Sequence, residues 1–185
     1  MQNIYDDNLD PRTGYDPYYQ SKLIGKAATY EGASEEAVEC AQSALVAGRV
    51  AKGTNTSITP EEAGAHLMEE FTDTVQMLAA LGYTAEIQDV STMTVKPWSD
   101  MYEDLAEICL KISHLTAKSA RRIRGENPTP ATEKELCDML REEYQKMRNL
   151  TARLGLTVNK RQMWEKQQRF KERYQQQKAK EEQQW

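Results

Sequence analysis

Residues 59–82 read TPEEAGAHLMEEFTDTVQMLAALG, and a related stretch, TEKELCDMLREEYQKMRNLTARLG, follows 73 residues later at 132–155. Each begins with a threonine that has a glutamate three residues on, which is the capping box that starts helices. Each ends at Leu-Gly, where the glycine is expected to stop the helix. A Glu-Glu pair recurs at 69–70 and 142–143. We infer that a helical segment of this chain has been duplicated.

The segments that precede these two helices match as well. A helix over 34–52, capped by Ser34, is expected to end at Gly53, and a helix over 99–124 is expected to end at Gly125. Each half therefore predicts a helical hairpin. One hairpin buries its apolar faces poorly, so we expect the two to pack as a four-helix bundle. The alternative is two unrelated hairpins that share common cap residues.

The predicted fold is all-α, with tandem helical hairpins between an N-terminal segment and a C-terminal basic helix. Its parts are an N-terminal arm and short helix at 1–31, a first repeat at 32–88, a second repeat at 89–157 and a C-terminal helix at 158–185. The short helix is expected to start at Asp16-Pro17 and run toward Tyr30.

Composition narrows the class of protein. Charged residues make up 29% and hydrophobic residues 39% of the 185 residues, which is typical of a soluble, helix-rich chain. No apolar run approaches the roughly 18 residues of a membrane span. The three cysteines lack a CxxC spacing, and the N-terminus lacks the pattern of a signal peptide, so we expect a cytoplasmic protein.

Charge is unevenly distributed along the chain. The net charge of -5 argues against a dedicated nucleic-acid binder, yet residues 158–185 carry +4 and the rest carries -9. The C-terminal helix has Met163, Phe170 and Tyr174 at helical spacing, so we expect it to dock by that stripe. Its basic face is expected to be solvated, with contact to a nucleic acid or a partner as the alternative.

Four acidic residues stand out on the first predicted hairpin. Glu70 and Asp73 lie three residues apart beside the apolar stripe of their helix, whereas Glu69 lies opposite it and is expected to be solvated. On the partner helix, Glu36 and Glu39 head an apolar stripe, where ionised carboxylates are costly without a counter-charge. In an antiparallel hairpin the four carboxylates converge, a donor set that suits Mg²⁺ or Mn²⁺.

The second hairpin lacks this donor set. Ile108, Lys111 and Lys146 stand where the first hairpin has its acids, so we expect one metal site per chain beside a basic surface. The candidate phosphate-binding cations are Arg49, Lys52, Lys111, Lys118, Arg121 and Arg122. The alternative is that these cations, or other lysines of the second half, only form ion pairs with the acids.

Two stretches resemble a known family. EEAVECAQ at 35–42, followed by EEFTD at 69–73, resembles the E-x-x-E…E-x-x-D pattern of the all-α nucleoside triphosphate pyrophosphohydrolases, the MazG-like and dimeric dUTPase group. The loop and its flanks at 103–144 resemble the same family, and together the likeness covers roughly residues 32–157.

The resemblance implies that Mg²⁺ is bound by Glu36, Glu39, Glu70 and Asp73. It implies water attack on the α–β phosphate bond of a nucleoside triphosphate, which releases pyrophosphate, with Glu36 or Glu39 orienting or deprotonating the water. Family members assemble into oligomers, so a homo-oligomer through the bundle is a further expectation. Two alternatives are a fold that only captures a nucleotide and a helical adaptor whose acids are salt-bridged.

Overall fold

The structure is a computed structural model, which describes residues 15–54, 57–88, 96–126 and 130–182. Over these residues the chain forms five helices and no strand. They are α1 (Tyr19–Ala51), α2 (Pro60–Ala80), α3 (Trp98–Ile123), α4 (Glu133–Arg153) and α5 (Lys160–Glu182). The predicted all-α class is confirmed. None of the helices in these ranges combines the length and apolarity needed to cross a membrane.

Both predicted capping boxes are present. Glu62 N donates to Thr59 Oγ1 at 3.2 Å, and Thr59 N donates to Glu62 Oε2 at 2.8 Å. Glu135 N donates to Thr132 Oγ1 at 3.1 Å, and Thr132 N donates to Glu135 Oε2 at 2.6 Å. These bonds satisfy N–H groups that a helix N-terminus otherwise leaves unpaired, which fixes where α2 and α4 begin.

The predicted stops are also present. Gly82 and Gly155 have φ angles of 85° and 71°, a conformation that costs glycine little. After each glycine, the next N–H donates to the carbonyl five residues earlier, at 3.0 Å after Gly82 and 2.9 Å after Gly155. This is the bonding of a Schellman motif, and it ends α2 and α4 at equivalent positions.

The prediction for the first helices is wrong in one respect. A short helix followed by a longer one is present, but the two meet at a kink at Gly25 (φ 82°, ψ 163°) inside the α1 range and not at Ser34. Ser34 lies inside α1, where its hydroxyl contacts the Ser113 carbonyl oxygen at 3.1 Å and the Ser113 hydroxyl at 2.9 Å on α3. Because this hydroxyl bonds to α3, it caps nothing. The expected boundary between 31 and 32 falls inside α1.

Helix α1 is central to the packing, lying against α3 and α2, while α4 lies against α3. Helix α1 carries a buried seam of small residues at helical spacing, Ala37, Ala41, Ala44 and Gly48. The stripe of α2 beside which Glu70 and Asp73 lie is buried at Leu67, Phe71, Thr74 and Leu78 and half-buried at Leu81. Small residues let two helices approach closely, so α1 and α3 form the middle of the bundle.

The chain that leaves α4 crosses over α2. Asn159 N donates to Thr72 Oγ1 at 3.1 Å, and Gln76 Nε2 donates to the Met163 carbonyl oxygen at 3.1 Å. Helix α5 is thereby placed along the outside of α2 and α1.

The chain that leaves α2 crosses α4 in the corresponding way. Gln88 N donates to Asn149 Oδ1 at 3.1 Å, and Gln145 Nε2 donates to the Glu86 carbonyl oxygen. Gln145 and Asn149 lie 73 residues after the two α2 side chains that hold the α5 segment. The two halves therefore hold each other's exit segments at matching positions.

Candidate functional site

Three of the four acids that the sequence predicts as metal ligands converge. Glu36 comes from α1, and Glu70 and Asp73 come from successive turns of α2. One carboxylate oxygen from each lies within 4.8 Å of the others, and we call these three residues the acid cluster. Thr74 Oγ1 donates to the Glu36 carbonyl oxygen at 3.0 Å, which sets the register of α1 against α2.

The acid cluster is largely shielded from water. The side chains of Glu36, Glu70 and Asp73 are 17%, 16% and 12% exposed. Their position beside an apolar stripe follows from the helical spacing on α1 and α2. Carboxylates in such a place need positive charge or hydrogen-bond donors nearby.

The fourth predicted ligand, Glu39, lies outside the acid cluster. Its side chain is exposed, one turn along α1 from Glu36. Its charge nevertheless acts on the cluster, since it is one of the charges that raise the pKa of Glu70. Glu39 is thus at the rim of the site, and Glu69 is exposed as predicted.

Helix α5 supplies a cation to the acid cluster. Lys166 Nζ lies 2.6 Å from Glu36 Oε1 and 2.7 Å from Asp73 Oδ2. Gln162, one turn earlier, donates through Nε2 to Asp73 Oδ1 at 3.1 Å and to the Glu69 carbonyl oxygen at 3.0 Å. The ammonium therefore bridges two of the three carboxylates.

Sequence reasoning missed Lys166. It lies on the same stripe of α5 as Met163, Gln167 and Phe170, of which Met163 and Gln167 are buried. A lysine on a stripe that packs against the protein is costly without a partner of opposite charge, so its position could have pointed to an acid opposite. The partner itself is 130 residues away along the chain at Glu36, so only the packing of α5 identifies it.

The electrostatics leave the acid cluster short of positive charge. Burial raises the pKa of Glu70 to about 7, assisted by the charges of Glu39, Asp73 and Glu36. Burial also raises the pKa of Glu36, although Lys166 opposes the shift. Burial favours the neutral amine of Lys166, but its bonds to Asp73 and Glu36 outweigh this and raise the lysine pKa.

The negative charge of an ionised Glu70 has little positive charge near it. The nearest imidazole, His66 Nδ1, lies 3.9 Å from Glu70 Oε1 and belongs to a side chain that is 70% exposed. Among the residues that the structure describes, one ammonium, that of Lys166, thus pairs with the acid cluster, which has the carboxylate of Glu39 at its rim. Such a site attracts a further cation.

No family model, curated protein or solved structure matches this chain. The resemblance to the all-α pyrophosphohydrolases therefore stays a prediction.

The predicted phosphate-binding cations on α1 lie away from the acid cluster. Arg49 and Lys52 are at least 13 residues beyond Glu36, which is about 20 Å along a helix. Arg49 is exposed, and Lys52 forms an ion pair with Glu103 at the start of α3.

The cations predicted on α3 are placed on the second hairpin. Lys111 Nζ lies 2.7 Å from Glu107 Oε1, and Arg122 Nη1 donates to the Ala131 carbonyl oxygen at 2.8 Å. Lys118 is half-buried and Arg121 is exposed. Lys52 and Lys111 thus pair with glutamates other than the four predicted metal ligands. Ion pairing of those acids, the alternative left open by the sequence, is observed instead for Glu36 and Asp73 with Lys166.

The counterpart of the acid cluster on α3 and α4 contains ion pairs of its own. Lys146 Nζ lies 2.7 Å from Glu142 Oε1 and 2.8 Å from Glu143 Oε1. A cleft of about 350 Å³ here is lined by residues that include Ile108, Lys111 and Lys146. The lysines that replace acids in this half are paired with glutamates, which weakens the basic character expected of this surface.

Proposed function

We propose that this protein is a Mg²⁺-dependent hydrolase of a nucleoside triphosphate, cleaving the α–β phosphate bond to give the monophosphate and pyrophosphate. The observation that carries the proposal is the convergence of Glu36, Glu70 and Asp73 from two helices. The resemblance of this acid pattern to the all-α pyrophosphohydrolases supplies the reaction.

The donor chemistry of the acid cluster fits Mg²⁺ or Mn²⁺, because both prefer carboxylate oxygens. Glu36, Glu70 and Asp73 would hold the ion, which would neutralise phosphate charge and orient the reacting groups. Lys166 lies between two of these carboxylates, so a bound metal ion and the lysine ammonium would compete for the same oxygen atoms.

Glu36 and Glu39 are the proposed carboxylates for orienting or deprotonating the attacking water. Of the two, Glu39 is exposed, whereas Glu36 is engaged by Lys166 at 2.6 Å. A proton acceptor must be within reach of an entering water, which favours Glu39 for this step.

A second candidate function is a helical binding protein without catalysis, which captures a nucleotide or a partner. The observation that favours it is Lys166 itself, since an ammonium bridging Glu36 and Asp73 already neutralises part of the acid cluster. In that case the cluster serves to hold α5 in place.

The test is pyrophosphate release from a panel of ribo- and deoxyribonucleoside triphosphates with Mg²⁺. We expect Glu70→Gln and Glu39→Gln to lower release by about a hundredfold or more, since each removes a proposed ligand or base. Glu69→Gln is the matched control, because Glu69 adjoins Glu70 but is exposed, and it should retain wild-type release.

The outcomes separate the candidates. Release that survives Glu70→Gln contradicts the assignment of the site. No release by the wild type, but thermal stabilisation by one nucleotide, identifies the capture protein. No release and no stabilisation by any nucleotide in the panel identifies a helical adaptor.

A further inference from the structure

Helix α5 is held to the rest of the protein by few apolar contacts. Of its 23 residues, Met163 and Gln167 are buried. The residues from Glu172 to Glu182 are exposed, except for the half-buried Tyr174. A helix with so little buried apolar surface depends on polar contacts for its position.

Some of those polar contacts are with backbone groups, at Gln76 Nε2 to the Met163 carbonyl oxygen and between Gln167 and the Asp16 backbone, and others are with the acid cluster. Lys166 bridges Glu36 and Asp73, and Gln162 adds a hydrogen bond to Asp73.

Further along α5, the Phe170 ring meets the edge of Tyr19, with centroids 6.5 Å apart. Lys171 Nζ lies 4.7 Å from the centroid of the Tyr19 ring. The half-buried Lys166 ammonium is the group that forms ion pairs in this attachment, and its partners are the proposed metal ligands.

We propose that α5 is a detachable strap over the acid cluster, latched by Lys166, and that a divalent cation competes with Lys166 for the same carboxylates. Binding of the cation releases Lys166, and α5 then leaves the groove between α1 and α2. The competition rests on the proposed function, whereas the latch rests on the contacts of Lys166 alone.

The charges at the acid cluster favour replacement of the Lys166 ammonium by a divalent cation. The acid cluster has three carboxyl groups, the nearby charge of Glu39 acts on Glu70, and the strap contributes the ammonium of Lys166. A divalent ion brings twice the charge and takes more oxygen ligands than an ammonium does. Few side chains of α5 are buried, so its release exposes little apolar surface. The loss of apolar burial therefore opposes the exchange only weakly.

The latch is tested by hydrogen–deuterium exchange on the full chain without metal. Lys166→Gln should speed exchange in α5 at least about tenfold while leaving α1–α4 protected, which also shows that the variant is folded. Lys178→Gln is the matched control, because it removes the same charge from an exposed position on the same helix. Wild-type protection of α5 in Lys166→Gln overturns the latch.

The competition is tested by titrating Mn²⁺, followed by electron paramagnetic resonance. We expect Lys166→Gln to bind Mn²⁺ at least about tenfold more tightly than the wild type, since a strap closed nine-tenths of the time lowers apparent affinity tenfold. Lys178→Gln should bind as the wild type does. In the wild type, Mn²⁺ should speed exchange in α5.

Failure of the strap and failure of the proposed function give different results. If Mn²⁺ binds both proteins equally and α5 stays protected, the competition is overturned and the metal site stands. If neither protein binds Mn²⁺, the metal-dependent hydrolase is overturned and the competition with it.

Discussion

Two adjacent glutamates on α2 show how one residue of helical rotation changes the environment of a side chain. Glu69 is exposed, whereas the Glu70 side chain is 16% exposed and lies in the acid cluster. The helical period predicts this contrast. It does not predict the pKa of about 7 for Glu70, because that value depends on burial and on the charges of Glu36, Glu39 and Asp73.

The raised pKa of Glu70 predicts a pH-dependent stability. The folded chain keeps Glu70 protonated up to about pH 7, while an unfolded chain ionises it near its ordinary 4.5. The folded state then binds more protons between these values, so the free energy of unfolding falls as pH rises through this window. The difference between a pKa of 4.5 and one of about 7 corresponds to about 3 kcal/mol, which solvent screening of this partly exposed carboxylate reduces. Glu70→Gln removes this pH-dependent loss and should stabilise the protein above pH 7 by about 2 kcal/mol.

Urea unfolding at pH 4 and pH 8 measures this effect. The gain from Glu70→Gln should appear at pH 8 and vanish at pH 4, where both states of the wild type are protonated. Glu69→Gln should give little change at either pH. An equal gain from Glu70→Gln at both pH values would contradict the assigned cause.

At the scale of elements, the helix ends follow from local chemistry. The capping box of Thr132 involves a residue three positions away, and the stop at Gly155 involves residues within five positions. Such interactions are readable from the sequence because they need no knowledge of packing. The boundary predicted at Ser34 failed because the Ser34 hydroxyl bonds to Ser113 on another helix.

The caps predict matched losses of stability in the two hairpins. Thr59→Ala and Thr132→Ala each remove one acceptor for a helix N-terminal N–H and should each cost about 1 kcal/mol of unfolding free energy. Thr84→Ala, at an exposed position after α2, serves as the control and should cost under about 0.5 kcal/mol. Chemical denaturation checks the three variants, and a cost confined to one cap would argue against equivalent helix starts.

At the scale of the whole molecule, the close contact of α1 with α3 organises the bundle. Cys40 Sγ and Cys109 Sγ lie 3.6 Å apart, and a side chain added at Gly48 would meet Tyr102 Cβ at 3.4 Å. Ala37 lies on the same face of α1 and is fully buried. The protein depends here on small residues rather than on large apolar ones.

That dependence predicts that overpacking is costly. Ala37→Leu should destabilise the protein by about 1–3 kcal/mol, because the added atoms force α1 away from its neighbours. Leu45→Ala is the control: it removes a similar volume from a side chain that is 44% exposed on the same helix, and it should change stability little. Thermal unfolding measures both, and a neutral Ala37→Leu would contradict the close approach.

The sequence by itself determined the helical class, the caps and stops of α2 and α4, the small seam of α1 and the different environments of Glu69 and Glu70. All of these follow from residues within about five positions of one another or from the helical period. The sequence also predicted that Glu36, Glu70 and Asp73 converge. Tertiary structure alone decided that Glu39 stays at the rim and that Lys166 joins the acid cluster. These outcomes depend on how far each helix is rotated and shifted against helices distant in the chain, and local sequence carries no signal that sets that geometry.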